Sequence, residues 1–200
     1  MPTTLYRLFL VIALLLPMTA FAGDAEDFVA ANPVQQAKLL EAWAAQPEPA
    51  RVELINALQQ GELIIDGQPK TLRLNNRLRG LIDTALASHQ LLAADAKTRL
   101  TAAQQLQKSA KPAQLKFLDQ QLAGEKDENV HAALSLALAN LQLVDTDPAV
   151  RLAAVRLLGE TGDPLARTRL EGLLEPGVES DAGVRTAAET SLAQVKRKLL

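Results

Sequence analysis

The side chains able to do chemistry are few in this sequence, and they do not converge. His89 and His131 are the only imidazoles, 42 residues apart, and there is no cysteine. A zinc site needs three or four such ligands brought together, so both histidines read as structural or surface residues of separate helices. Thiol nucleophiles are excluded, and no serine occupies the Gly-x-Ser-x-Gly elbow of hydrolases. Asp145-Thr146-Asp147 begins like a calcium loop, but Val150 stands where that loop requires glycine; the segment reads instead as an interhelical turn carrying a cap. Glu125, Asp127 and Glu128 suit the solvated first turn of a helix. Gly159-Glu-Thr-Gly162 has neither the lysine nor the preceding strand of a phosphate loop, and reads as a connector. With no acid, base and nucleophile to assemble, the chain is expected to be no enzyme and to use no metal and no cofactor.

The elements that position these residues are helical. Alanine (34) and leucine (38) dominate, while valine and isoleucine together number 16. Such an apolar set favours helices and is poor in the β-branched residues that fill sheets. Twenty-one basic against 23 acidic residues, with aromatics at 3%, give neither the charge footprint nor the stacking platforms of a nucleic-acid binder.

The first 22 residues read as a secretory signal: Arg7, an apolar run from Leu8 to Leu16, a break at Pro17, and Ala20-Phe-Ala22. Nine apolar residues fall short of the roughly 20 needed to span a bilayer. An uncleaved anchor would have to admit Pro17 and Thr19. Cleavage between Ala22 and Gly23 is the expectation, placing the protein outside the cytoplasmic membrane, in the bacterial periplasm. It would also remove Met1, Tyr6 and Met18, leaving a mature chain without cysteine, methionine or tyrosine and so with few sites to oxidise.

From residue 23 to about 92 the pattern predicts several helices. Phe28 and Val29 start an apolar face continued by Val34, Leu39, Leu40 and Trp43, and Val52, Ile55 and Leu58 mark the next helix. Trp43 is expected to be a core anchor. Within this region, residues 62–74 read as a β-hairpin turning at Asp66-Gly67, whose residue types tolerate the positive φ angles of a two-residue turn. Such an insertion either caps an exposed edge of the core or offers a contact element. Leu78, Leu81, Ile82 and Leu86 then form the stripe of a further helix.

Residues 93–200 repeat a template. Asp95 with Thr98 and Arg99, Asp127 with Val130 and His131, Asp147 with Val150 and Arg151, and Asp181 with Val184 and Arg185 share one spacing, and each is followed by a leucine at Leu106, Leu138, Leu158 and Leu192. The intervals are 32, 20 and 34 residues. Aspartate there caps a helix, proline at 148 and 164 begins one, and the alanines near Ala102, Ala133, Ala154 and Ala188 permit close helix approach.

The Asp-x-x-Val-Arg pattern resembles HEAT-like helical repeats, which implies an all-α solenoid of stacked helix pairs carrying one small hairpin. The likeness implies a polar ladder, with Asp147 and Arg151, and Asp181 and Arg185, matching its positions; Thr98 and His131 depart from it. More narrowly, Ala31-Asn-Pro-Val-Gln-Gln-Ala-Lys-Leu-Leu-Glu-Ala-Trp43, Thr71-Leu-Arg-Leu-Asn-Asn-Arg-Leu-Arg-Gly80 and Asp147-Pro-Ala-Val-Arg-Leu-Ala-Ala-Val-Arg-Leu-Leu-Gly159 resemble the exported N-terminal extension of urea ABC transporter permeases of the branched-chain amino acid type. That resemblance implies a non-catalytic interaction and assembly domain. Its partners would be other transporter subunits, including the periplasmic urea-binding protein, and it would meet the membrane only through a downstream permease domain. In that family the spans would begin near Lys196-Arg-Lys-Leu-Leu200. The three basic residues there either favour the negative end of the last helix or lie at a membrane surface. The alternative is a free-standing periplasmic scaffold that binds proteins unrelated to transport. Direct urea binding would need a polar pocket that no motif marks.

Overall fold

The computed structural model describes residues 22–200. The signal segment lies outside the described residues, apart from the Ala22–Gly23 junction, which falls at the start of the first helix. Ten α-helices follow in order: α1 (Ala22–Ala30), α2 (Pro33–Ala45), α3 (Val52–Gln60), α4 (Asn76–Gln90), α5 (Ala96–Ser109), α6 (Leu115–Gly124), α7 (Glu128–Gln142), α8 (Pro148–Gly159), α9 (Pro164–Leu173) and α10 (Ala182–Lys198). One hairpin, β1 (Glu62–Ile65) and β2 (Gln68–Thr71), interrupts them between α3 and α4. The fold is an all-α stack with a small inserted β-hairpin.

After α1, the nine remaining helices of the described residues group into three units of three. In each unit a capped first helix (α2, α5, α8) leads to a shorter second helix (α3, α6, α9) and then to a capped third helix (α4, α7, α10) that packs on the first. The first helices are capped by Asn32, Asp95 and Asp147, and the third by Asn75, Asp127 and Asp181; each side chain accepts hydrogen bonds from amides of the first turn. Asp147 follows Asp95 by 52 residues, and Asp181 follows Asp127 by 54. The four Asp-led copies are therefore not equivalent: two open first helices and two open third helices. The short 20-residue interval from Asp127 to Asp147 is the step from one unit to the next, with no helix missing. The template also extends further back, because Asn75-Asn-Arg-Leu-Arg79 opens α4 exactly one unit-length, 52 residues, before Asp127.

Three apolar clusters correspond to the three units. The first joins α1 to α4 around Phe28, Leu40, Ile55, Leu58 and Ile82. The second is built on Leu106, Leu118, Val130 and Leu134, but also takes Ala87 and Leu91 from the end of α4. The third holds Val155, Leu158, Leu170 and Val195, and takes Ala139 and Leu143 from α7. Helices α4 and α7 thus each serve two clusters and tie neighbouring units together, the nearest-neighbour coupling of a solenoid. Val29 and Val34 do not belong to the buried face predicted for the first helices. Val34 is 64% exposed, because the capping box of Asn32 and Gln35 fixes the start of α2 so that Ala37, Leu40, Trp43 and Ala44 face inward. Trp43 stacks on Phe28 with centroids 5.9 Å apart, and the Arg51 guanidinium lies 5.4 Å from the indole.

The hairpin is tightly turned. Asp66 and Gly67 both have positive φ, 51° and 72°, and pair Ile65 with Gln68. Its strands end at Thr71, with one further bond from the Leu72 amide to the Gly61 carbonyl, and residues 72–75 run on as coil. Leu63 is buried, and Ile65, Leu72 and Leu74 pack against the first cluster, so one face of the hairpin caps unit 1. Ile64 points the other way. Pro69 in β2 removes one donor from the strand, which blunts pairing with another chain.

Candidate functional site

The polar groups that the structure brings together form two matching clamps. In the first turn of α5, Arg99 donates from Nε and Nη2 to the two carboxylate oxygens of Glu125, at 2.7 and 2.9 Å, and from Nη1 to the carbonyls of Ala93 and Ala94. In the first turn of α8, Arg151 does the same to Glu179, at 2.7 and 2.8 Å, and to the carbonyls of Asp145 and Thr146. Each glutamate stands two residues before the cap of the third helix, and one of its oxygens also accepts the cap residue's amide: Glu125 from Asp127 N–H and Glu179 from Asp181 N–H, both at 2.8 Å. An arginine fork thus fastens the turn before its own helix to the turn before the third helix. It follows that α5 and α7 start at the same end of their unit, as do α8 and α10.

The electrostatics follow from this geometry. The Arg99 hydrogen bonds hold the Glu125 carboxyl down at about 2, with the amides of Asp127 and Lys126 acting in the same sense and burial opposing them. Glu179 is lowered chiefly by Arg151 in the same way. Both guanidiniums are raised, principally by those hydrogen bonds. The Asp95 carboxyl is lowered first by the hydrogen bond from the Thr98 side chain.

The repeat residues singled out in the sequence fall around these clamps, in roles that differ from a ladder. Asp95, Asp127, Asp147 and Asp181 cap their helices, and the carboxylates that receive the arginines are Glu125 and Glu179. Arg99 is clamped as fully as Arg151, although Thr98 departs from the motif. Arg185 makes a single 3.4 Å bond to the Glu179 carbonyl. Val130 and Val184 are buried, Val150 is half-buried, and His131 is exposed. Sequence reasoning missed both glutamates as partners, and the signal that marks them is Glu-x-Asp before a third helix, as in Glu125-Lys-Asp127 and Glu179-Ser-Asp181.

His89 lies in the interior at 1% exposure, its Nδ1 bonded to the Ala85 carbonyl at 2.7 Å and its Nε2 without a partner among the described residues. Burial is the first cause of its lowered pKa. An apolar cleft of about 230 Å³ opens between α2, α4 and the turn Lys111–Gln114, floored by Ala44, Leu81 and Pro112. A wider groove of about 580 Å³ runs between α8 and α10 past Arg156, Thr186 and Gln194. Among the described residues, no three His, Cys, Asp or Glu side chains are placed to hold a metal ion.

These features define a helical repeat stack locked by arginine–glutamate clamps. No protein-family model and no curated protein matches the sequence.

Proposed function

We propose that the chain is a non-catalytic periplasmic interaction and assembly domain of a urea-type ABC transporter permease, which docks the periplasmic urea-binding protein or orders the assembled transporter. One observation carries the interaction role: three units are joined through α4 and α7, and units 2 and 3 are pinned by bidentate clamps at the turns, a construction that holds an extended surface in fixed shape. A preorganised surface loses little freedom on binding a partner. The transporter context rests on the resemblance of segments 31–43, 71–80 and 147–159. No helix among the described residues is long and apolar enough to cross a membrane, so transport itself would belong to a separate permease domain.

Affinity-tagged protein in a periplasmic extract tests the proposal. Recovery of a urea-binding protein, together with a permease encoded in frame or next to the gene, is the expected result. Recovery of unrelated partners with no permease at the locus would favour the free-standing scaffold. A calorimetric titration with urea is expected to show no heat, because the cleft is mainly apolar and the groove, although it carries polar side chains, is much larger than one urea molecule.

A further inference from the structure

We infer that Lys70 on the return strand of the hairpin, Arg73 in the coil that follows it, and Arg77 and Arg79 in the first turn of α4 form a docking strip for an Asp- and Glu-rich segment of a partner protein. All four side chains are exposed, and among the described residues none has an ion-pair partner. No acidic residue occurs from Gly67 to Ile82, in a chain whose formal charge is −2.

The other two units treat the same place differently. Helices α7 and α10 open on Asp127 and Asp181, and α7 carries Glu128 in its first turn. Their sister α4 opens on the neutral Asn75; like α10 it has no acid in its first turn and an arginine at plus four, Arg79 matching Arg185, but it adds Arg77 at plus two, where α7 has Asn129 and α10 has Gly183. Cations at that end oppose the positive pole of the helix dipole. This unfavourable arrangement coincides with the insertion that distinguishes unit 1. The caps of α2 and α5 are 63 residues apart, against 52 for α5 and α8, and the hairpin lies in the longer interval. Among the third helices, losing the capping aspartate while gaining Arg77 marks a position under a demand other than stability.

The chemistry favours a narrow acidic polypeptide over a broad anionic surface. Glu62, Asp66 and Asp83 flank the strip, so a bilayer or a nucleic acid lying across it would meet carboxylates as well as cations. A single extended segment can run along the four cations alone. The inference is independent of the transporter reading, because any partner carrying such a segment would satisfy it.

Isotope-labelled protein titrated with a synthetic decaglutamate peptide, followed by amide chemical shifts, tests the strip. Shifts confined to residues 62–83 are expected, with binding weakened about tenfold or more by raising salt to about 0.5 M. A comparable loss is expected in the double variant R73E/R77E, whereas R167E/R169E, which reverses an exposed pair on α9, should bind as the parent does. Placing a carboxylate in the first turn of α4 suits the helix dipole, so the double variant is expected to fold, and an unchanged circular dichroism spectrum would confirm it. Absence of shifts, equal shifts around Arg167 and Arg169, or undiminished binding by R73E/R77E would overturn the proposal. So would R73E/R77E-sensitive binding of phosphatidylserine vesicles in the absence of peptide binding, which would assign the strip to a membrane.

Discussion

Gln107 and Asn140 fasten α5 to α7 by reciprocal use of their amides: Gln107 Nε2 donates to the Ala133 carbonyl, and Asn140 Nδ2 donates to the carbonyl of Gln107 itself, both at 3.1 Å. The corresponding positions of unit 3 are Gly159 and Gln194, by the same 52- and 54-residue offsets. There the helices meet without the two amides, and Ser191 fills the space that a side chain on residue 159 would need. One interhelical contact is thus made in two ways, by paired amides in unit 2 and by close approach in unit 3.

The two amides should respond differently to replacement. Gln107→Leu removes one buried bond and is expected to lower stability by about 1 kcal/mol in urea unfolding. Asn140→Leu also removes a bond, but it eliminates a buried Oδ1 that has no partner among the described residues, so its net effect should be smaller. Equal losses in both variants would contradict this ordering.

Gly159 should tolerate no side chain while Ser191 stands opposite. A Cβ there would lie 2.6 Å from Ser191 Oγ and 2.7 Å from its Cβ, so the two helices would have to move apart or Ser191 shift. Gly159→Ala is expected to cost about 1–3 kcal/mol by overpacking. Adding Ser191→Gly should recover part of that loss, measurable as a non-additive double-mutant cycle.

Acid should weaken the stack in two separate windows. His89 titrates below its ordinary 6.5 when folded, mainly through burial, so the unfolded chain binds the extra proton first. The stability this group contributes is complete above about pH 6.5 and declines below it. Glu125 titrates near 2 when folded against 4.5 ordinarily, so its contribution is complete above about pH 4.5 and is lost as pH falls towards 2. Glu179 acts in the same direction. Urea midpoints across pH should show His89→Leu flattening only the upper window and Glu125→Gln reducing the slope of only the lower one.

Unfolding should not be uniform along the stack. Trp43, the only tryptophan, lies in the first cluster, while Leu158 is fully buried in the third. Leu158→Ala should cost about 2–5 kcal/mol locally. Because the main contacts join neighbouring units and the third cluster is one unit removed from Trp43, circular dichroism is expected to report an earlier transition in this variant while Trp43 fluorescence shifts less. Coincident shifts of both probes would mean that the three units fold as one.

Much of the fold is legible because its signals are local. Seven helix starts follow from Asn or Asp bonding to amides two or three residues ahead, and the hairpin follows from Asp66-Gly67. The apolar face of α2 was harder to place. Val34 fits a helical spacing, but the capping box sets the rotation of the helix and turns Val34 to solvent. The three-unit order was obscured because Asn replaces Asp at residues 32 and 75 and the hairpin lengthens the first unit. At the clamps, Arg99 and Arg151 stood out, while their carboxylates did not, since aspartate at minus four is nearer in sequence than the glutamates actually used.

By itself, then, the sequence determined where helices begin, where the chain reverses at the hairpin and that the interior is made of alanine and leucine, since each is a matter of bonds within a few residues or of overall composition. The tertiary structure alone decided that first and third helices are partners, that Arg99 takes Glu125 and Arg151 takes Glu179 across 26 and 28 residues, and that Gly159 must leave room for Ser191. Those contacts depend on how the second helix of each unit packs away its apolar side and brings two distant helix starts together, which no spacing along the chain encodes.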